Sequence, residues 1–409
     1  MFLQLFVSFA LGYLSWNLLF LEVHNYRAFS MGIPRVRVLI DSRNPLWLML
    51  QPYVWPVLDR LPINWGSFGR YSRVAWHFAD QGDSHRRYGP IWALVTPHNV
   101  YVHVADPAAC ADILDRSADF RRSKLYELPE VHGIFTSTAS WNGWPQHNRV
   151  GVAPFNEPTM SFIWNESVTQ TKQLVNFWTT ACQIPSVIQD TRSLSLNVLV
   201  STGFSIDEMF GKSSGINFAG HHTTASTLAF AIMLLAAHPS VQEWVAEELR
   251  TLPLIQEGQY GDLFPVLKRC RAVMTSLHVG RDKIIIPHGT AVIPNMLAIH
   301  TDPNIWTKPR EWTPARWIST STQGEDVLYD PPRGTFFPWS DGPQMCPGAK
   351  LSQVEFVAVM ASLLQDHRIN AVPRPGEEEA ATTRRLLEVI NDVDCTPLLQ
   401  MRDSECVKM

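Results

Sequence analysis

The sequence predicts a mixed α+β fold, mainly α-helical with small β-sheets, carried behind an apolar N-terminal helix. Three observations carry that expectation. Residues 1–21 contain no charged side chain. The rest of the chain alternates long stretches of helical period with only short β-branched runs. A hydrophobic content of 45% over 409 residues is enough to bury a substantial core, which excludes a disordered chain.

The first element is MFLQLFVSFALGYLSWNLLFL. At the rise of an α-helix it reaches roughly 30 Å, the thickness of a bilayer's hydrocarbon core, so residues 1–21 are expected to be a transmembrane anchor. A cleaved signal peptide is the competing reading, but the stretch has neither a basic start nor a small-x-small site before Glu22. Arg27, Arg35 and Arg37 follow it, and the positive-inside bias then puts the main body in the cytosol. Residues 22–59 are a membrane-proximal linker. Within it, LWLMLQPYVWPVL at 46–58 is too short to cross and is interrupted by Pro52 and Pro56, so it is expected to lie on the membrane face or line an entry to the core. Trp47 and Trp55 suit a headgroup layer, and core packing accounts for them equally. The sequon Asn165-Glu166-Ser167 would face the cytosol and stay unglycosylated.

Residues 60–409 show no repeat, low-complexity tract or Gly/Ser linker and read as one domain. Residues 92–104 predict two strands around a Pro-His-Asn turn, with a helix beginning near Asp106-Pro107. Residues 218–237 predict a long apolar helix ending at His238-Pro239, and 240–251 an amphipathic helix capped by Ser240. Residues 284–294 suggest strands, and a buried helix follows Pro347. The run GEEEAATTRR at 376–385 reads as a solvated face.

Charge and cysteine usage exclude several classes. A net charge of −4 with scattered Lys and Arg offers no field for gripping phosphates, so nucleic acid is not an expected partner. The six cysteines are far apart and form no CxxC pair, which indicates neither a disulfide framework nor a zinc site.

The most informative segment is FFPWSDGPQMCPGAKLSQVEF, residues 336–356. Gly342 stands four residues before Cys346 and Gly348 two after, with a helix directly behind. Glycines let backbone fold against a flat macrocycle, and the positive end of a helix helps hold sulfur as thiolate. This is chemistry suited to an iron ligand, since a thiolate pushes electron density toward iron and favours O–O cleavage.

On these residues the chain resembles the cytochrome P450 family, whose haem loop reads F-x-x-G-x-R-x-C-x-G. Here the corresponding positions hold Trp339, Gly342, Gln344, Cys346 and Gly348. A second likeness is AGHHTT at 219–224, similar to the family's oxygen-binding pattern A/G-G-x-D/E-T-T/S. The resemblance implies that Ala219 and Gly220 leave room for dioxygen and that Thr223 relays a proton, with His222 standing where the family has an acid. A small-residue helix crossing is the alternative for this motif. A third likeness is AIHTDPNIWTKPREWTPARWI at 298–318, where Arg316 would join a Glu and an Arg of an ExxR helix in a buried ionic cluster.

The chain also departs from the pattern. FPVLKRCRAVM at 264–274 resembles the start of the ExxR helix but runs straight into TSLHVGRDKIIIPHGT, so the motif is missing. A literal Glu247-x-x-Arg250 lies one helix earlier and reads as an exposed pair. Only SIDEMFGKSSGIN separates 193–204 from the oxygen helix, so the helices that roof the family's pocket are absent. In WPQHNR at 144–149, Trp144 is kept while Asn148 replaces the expected Arg, leaving His147 and Arg149 to approach a haem propionate. A buried Arg316 without a partner would cost about 3–5 kcal/mol. Such clean gaps suggest a shortened splice form or a faulty gene model, and an incomplete P450 fold.

The resemblance implies a haem-thiolate monooxygenase with haem on Cys346, electrons from NADPH through a membrane-bound reductase, and O2 and a small lipophilic substrate of secondary metabolism as reactants. It implies a monomeric, single-pass protein of the endoplasmic reticulum membrane with a cytosolic body. Two alternatives stay open: an inactive scaffold or unstable product, and a haem enzyme that rearranges or dehydrates without a reductase.

Overall fold

The computed structural model describes residues 2–74, 76–116, 119–120, 156–181, 184, 186–205, 214–274, 290–342, 345–394, 400–402 and 409. They group into two compact units, one of residues 1–121, 277–311 and 331–343, the other of residues 122–276, 312–330 and 344–409. Helices of seven or more residues are numbered here in chain order.

The first unit is built on α1 (Phe2–Phe29), β1 (Arg35–Arg37), α2 (Pro45–Leu58), β2 (Ile91–Val95), β3 (Val100–Val104), α3 (Pro107–Asp115) and β4 (Ala291–Pro294). The sheet order is β1-β2-β3-β4, with β2 and β3 antiparallel and both outer pairings parallel. The Pro-His-Asn turn forms where the sequence predicts it, and Thr96 Oγ1 secures it by accepting the N–H groups of His98 and Asn99. β2 and β3 are buried along their whole length. Their alternating side chains therefore serve two cores. Ala93, Val95, Val100 and Val102 meet Leu21 and Ala28 of α1 and Cys110 of α3, while Trp92, Leu94 and Tyr101 meet Val36, Tyr71 and Trp76. The helix expected near Asp106-Pro107 is α3. Pro107 occupies its first turn and the Asp106 carboxylate caps it by accepting the Ala109 N–H at 2.7 Å.

α1 does not stop at residue 21. It runs unbroken to Phe29, because its last turns dock on the sheet: Leu21 and Ala28 are buried and His24 Nδ1 lies 2.9 Å from the Thr96 carbonyl. Leu5, Leu11, Leu14, Trp16 and Leu19 are exposed. No single helix among the described residues is long and apolar enough to cross a membrane. α2 forms despite Pro52 and Pro56, started by Asn44, whose side chain accepts the Trp47 N–H, and by Pro45. It buries Trp47, Gln51 and Trp55 and exposes Leu48, Met49, Tyr53 and Val57. Trp47 Nε1 donates to the Ser72 carbonyl at 2.6 Å, and both tryptophan rings pack at a tilt against Phe68, so these two are core rings.

The second unit contains α4 (Glu157–Ala181), α5 (Val187–Ser205), α6 (Ser214–Ala237), α7 (Pro239–Arg250), α8 (Lys268–Met274), the hairpin β5 (Ile318–Thr320) and β6 (Asp326–Leu328), α9 (Ala349–Leu364), α10 (Glu379–Asn391) and the pair β7 (Val393–Asp394) and β8 (Gln400–Met401). The long apolar helix before His238-Pro239 and the buried helix after Pro347 both form as predicted. α9 is apolar around its circumference, so it can only sit inside, packed against α4, α6, α7 and α8. Two smaller expectations need correction. Ser240 lies inside α7, whose N-cap is His238 with Pro239 in the first turn. The run at 376–385 is not simply solvated: Glu377 and Arg385 pair at 2.7 Å with little exposure, and α10 grows from it. The sequon is closed whatever compartment it faces, because Ser167 is fully buried in α4.

The first unit holds an unusual ring cluster. Trp92 stacks on His103 with centroids 4.7 Å apart, Trp76 stacks on His77 at 3.9 Å, and His85 approaches Trp92. Both nitrogens of His103 and the Nε2 atoms of His77 and His85 are buried without hydrogen-bond partners among the described residues. Burial lowers the pKa of His77 and His85 from 6.5 to about 4, and that of His103 well below 6.5. The unfolded chain takes up these protons at a higher pH than the folded chain does, so stability is full above about 6.5 and is lost as pH falls toward 4. His103→Phe is expected to raise neutral-pH stability by about 1–3 kcal/mol and to flatten the acid slope in urea unfolding.

Candidate functional site

The segment that leads to Cys346 belongs to the first unit up to residue 343. Its chain reverses tightly: Ser340 N–H donates to the Phe337 carbonyl at 2.9 Å, and both Ser340 and Gly342 adopt positive φ, 65° and 73°. Gly342 is required twice over. Its backbone conformation is one that side chains resist, and a Cβ there would fall 2.5 Å from the Leu114 carbonyl oxygen of α3. The close approach at this glycine is thus to the end of α3. Trp339 is half-buried.

In the second unit Cys346 stands just before α9, with Gly348 at the N-cap position and no side-chain cap there. The positive end of α9 is therefore open toward the sulfur. The residue is exposed, whereas Cys110 and Cys270, the other free cysteines among the described residues, are fully buried. Partial shelter of the sulfur raises its pKa, and the Gly348 N–H opposes that rise. A Cβ at Gly348 would lie 3.8 Å from Cys346 Sγ, an ordinary van der Waals contact, so the sulfur itself does not require a glycine there. An accessible sulfur facing a helix start and a backbone donor is a donor set that fits an iron ligand, because coordination removes the thiol proton outright.

α6 carries the second group of predicted residues and packs against both α5 and α9. Gly220 marks a tight crossing, where a Cβ would approach Leu199 Cδ2 of α5 to 3.0 Å. Thr223 is exposed and its hydroxyl reaches the Gly220 carbonyl at 3.3 Å. His222 is half-buried, and desolvation, helped by His221 and Arg192, lowers its pKa, so its ring is neutral near pH 7. Ala219 lies in α6, but its side chain is outside the described residues, as are Trp144, His147 and Arg149.

The missing ionic cluster resolves differently from the expectation. Arg316 is only half-buried, in a short 3-10 helix at Pro314–Trp317, and its Nε donates to the Thr313 carbonyl at 3.2 Å. The buried, uncompensated cation does not occur. The work of joining these elements falls to Arg269 at the start of α8. It pairs with Glu247 of α7 at 2.8 Å and Asp326 of β6 at 3.1 Å, and donates to the Trp244 carbonyl at 2.7 Å. Glu248 beside it accepts the Arg269 backbone N–H at 2.9 Å. Glu247 is thus occupied by Arg269, and Arg250 pairs instead with Glu243 at 2.6 Å.

Sequence reasoning missed Glu355, the one carboxylate inside α9. It is 1% exposed, its Oε1 has no hydrogen-bond partner among the described residues, and Ser195 of α5 lies beside it. Burial pushes its pKa from 4.5 up to about 8, with Ser195 opposing. A lone acid followed by an apolar run inside a 16-residue helix was the available signal.

A profile of the cytochrome P450 family matches residues 199–263 and 260–388, spanning α6, α8 and the Cys346 segment. A cytochrome P450 monooxygenase of Arthrobotrys oligospora is 21% identical over 91% of this chain and 92% of its own length. This chain belongs to the cytochrome P450 family. The Arthrobotrys alignment runs over 544 positions against 409 residues here, so the relative contains stretches without a counterpart in this P450. A phomenoic acid biosynthesis cluster cytochrome P450 monooxygenase of Leptosphaeria maculans is 28% identical over 42% of the chain and 36% of the relative. A cytochrome P450 of Mesocricetus auratus is 31% identical over 39% of the chain and 34% of the relative. Against these two the chain spans about a third of the relative's length.

Two outcomes follow for this P450. Arg269→Ala is expected to cost about 2–4 kcal/mol in urea unfolding, while Arg316→Ala changes stability by less than about 1 kcal/mol. Glu355 keeps its proton in the folded chain up to about pH 8, whereas the unfolded chain has released it above 4.5. Stability therefore falls as pH rises through that window, and Glu355→Gln should remove this slope in a pH series of unfolding midpoints.

Proposed function

We propose that this chain is a haem-thiolate monooxygenase that inserts one oxygen atom from O2 into a small lipophilic substrate. The observation that carries the reading is Cys346, an exposed cysteine before α9 with the Gly348 N–H on its sulfur, inside the segment that the family profile covers. When bound, haem supplies the chemistry of dioxygen activation. The chain's own residues do the rest. Cys346 gives up its proton and holds haem by sulfur, while the Gly348 N–H and the start of α9 stabilise the negative charge. Gly342 and Gly348 keep the backbone compact on either side, and Trp339 keeps an aromatic ring in the loop.

Thr223 and His222 handle the proton. The Thr223 hydroxyl is exposed on α6, and a neutral His222 next to it can accept and return a proton near pH 7. Ala219 and Gly220 keep that stretch small. Trp144, His147 and Arg149 are assigned to the propionates on the sequence pattern. Electrons come from NADPH through a membrane-bound reductase. The name of the Leptosphaeria relative refers to a biosynthesis cluster, which supports a substrate of secondary metabolism. The exposed apolar side chains of α1 and α2 support attachment to the endoplasmic reticulum membrane with α1 as anchor, and Arg27, Arg35 and Arg37 after the charge-free run support a cytosolic body; the enzyme is proposed to be a monomer.

The reduced-carbon-monoxide difference spectrum of the purified full chain tests this. The red-shifted thiolate band is expected, and Cys346→Ser should abolish it; a variant that keeps the band would overturn the ligand assignment. Thr223→Ala should leave the band in place and slow substrate oxidation by about 10²-fold or more. NADPH consumption in the presence of reductase separates oxidation from rearrangement without a reductase.

A further inference from the structure

We propose that α2 lies in the plane of a bilayer rich in anionic phospholipid, with its exposed apolar stripe in the acyl layer and Arg43 and Arg60 at the headgroup phosphates; this rests on the membrane attachment proposed above.

α2 is apolar on its outer side as well as its inner one. Trp47, Gln51 and Trp55 are buried, while Leu46, Met49, Leu50, Tyr53 and Val57 recur at helical spacing along the opposite side and are exposed, Met49 at 72% and Tyr53 at 77%. No charged residue lies between Arg43 and Asp59. A helix that faces water carries charge on its outer side, so this stripe calls for an apolar occupant. The 14 residues of α2 reach about 21 Å, too short to cross a hydrocarbon core, and the buried tryptophans hold its other side against the first unit. What remains is a contact in the plane of the interface.

Two observations make that occupant lipid, and anionic. α2 starts beside α1, where the Asn44 side-chain amide approaches the Tyr13 hydroxyl at 3.4 Å. On α1 itself Leu5, Leu11, Tyr13, Leu14, Trp16 and Leu19 are exposed, and at 3.6 residues per turn they point to every side of the helix. A groove in a folded partner covers one stripe of a helix, whereas a lipid phase surrounds it, and the outer stripe of α2 adjoins that same surface. The second observation is charge. Residues 22–90 hold nine arginines, no lysine and five acids, a net charge of +4 with histidines neutral, in a chain whose total is −4. Arg43 and Arg60 bracket α2 and are both exposed. Cations at the rim of an apolar helix face draw it to anionic headgroups, an attraction that salt screens.

The test uses the full chain, reconstituted in vesicles of phosphatidylcholine alone or with about 30% phosphatidylserine. Both contain a trace of phosphatidylcholine bearing a photoactivatable diazirine on an acyl chain, and labelled residues are mapped by mass spectrometry after irradiation. Label is expected at residues 46–57 as well as in α1. With phosphatidylserine the label at 46–57 should rise several-fold, and about 0.5 M NaCl should remove that rise. Arg43→Gln combined with Arg60→Gln should remove it as well. Met49→Glu combined with Tyr53→Glu, both at exposed positions, should abolish label at 46–57 and leave the label in α1. Label confined to α1 overturns the inference and leaves the anchor reading intact. Equal label at 46–57 in both kinds of vesicle overturns the anionic preference. If 46–57 stays unlabelled and chemical cross-links join α2 to a second copy of the chain, the stripe is a protein interface and the inference falls. Label in neither helix defeats membrane attachment, and the inference with it.

Discussion

A helix that is apolar on every side has one place to go, and α9 sets the terms for everything around the cysteine. Its side chains from Leu351 to Leu364 meet α4, α6, α7 and α8, so its axis cannot shift without opening the core of the second unit. Cys346 is carried on the end of that rigid element. The N–H groups of its first turn have no intrahelical partners, and they point where a thiolate gains most from them. A ligand sulfur needs exposure and a fixed position together. Burial of the helix supplies the second while the loop supplies the first.

Glu355 complicates that account in an informative way. A buried acid in the middle of α9 gives up packing and hydration without an ion pair in return, and it stays neutral to avoid a larger penalty. Its neighbour Ser195 belongs to α5, the helix that also receives Gly220 of α6 through Leu199. α5 thus touches both the helix behind the cysteine and the helix bearing Thr223. The geometry of the Thr223 stretch and that of the sulfur have a common mechanical reference inside one core.

Much of this was legible in the sequence where a single physical rule decides the outcome. The β2–β3 hairpin followed from β-branched runs around a turn, α3 from Asp106-Pro107, α6 and α9 from apolar length, and Cys346 from its glycines and the helix behind it. The failures occurred where tertiary contact overrides a local rule. The charge-free run suggested an end to α1 at residue 21, but docking of His24 and Ala28 on the sheet carries the helix to Phe29. Pro52 and Pro56 interrupt the apolar run at 46–58, yet α2 continues through both with Trp47, Gln51 and Trp55 buried. The pairing of Arg269 with Glu247 and Asp326 spans residues far apart in the chain, and no spacing rule announces it. The likeness places Arg316 in a buried cluster, whereas in the folded chain it is half-buried in a short 3-10 helix.

The two glycines flanking Cys346 show how one motif divides its labour. By sequence they look equivalent, each a residue that lets backbone approach something closely. In the folded chain Gly342 has positive φ and lies against a carbonyl of α3, so replacing it would clash with protein. At Gly348 a Cβ would lie 3.8 Å from the sulfur, an ordinary contact, so none of the described residues excludes a side chain there. The first glycine belongs to the fit against α3, and the second leaves open the space beside the Cys346 sulfur.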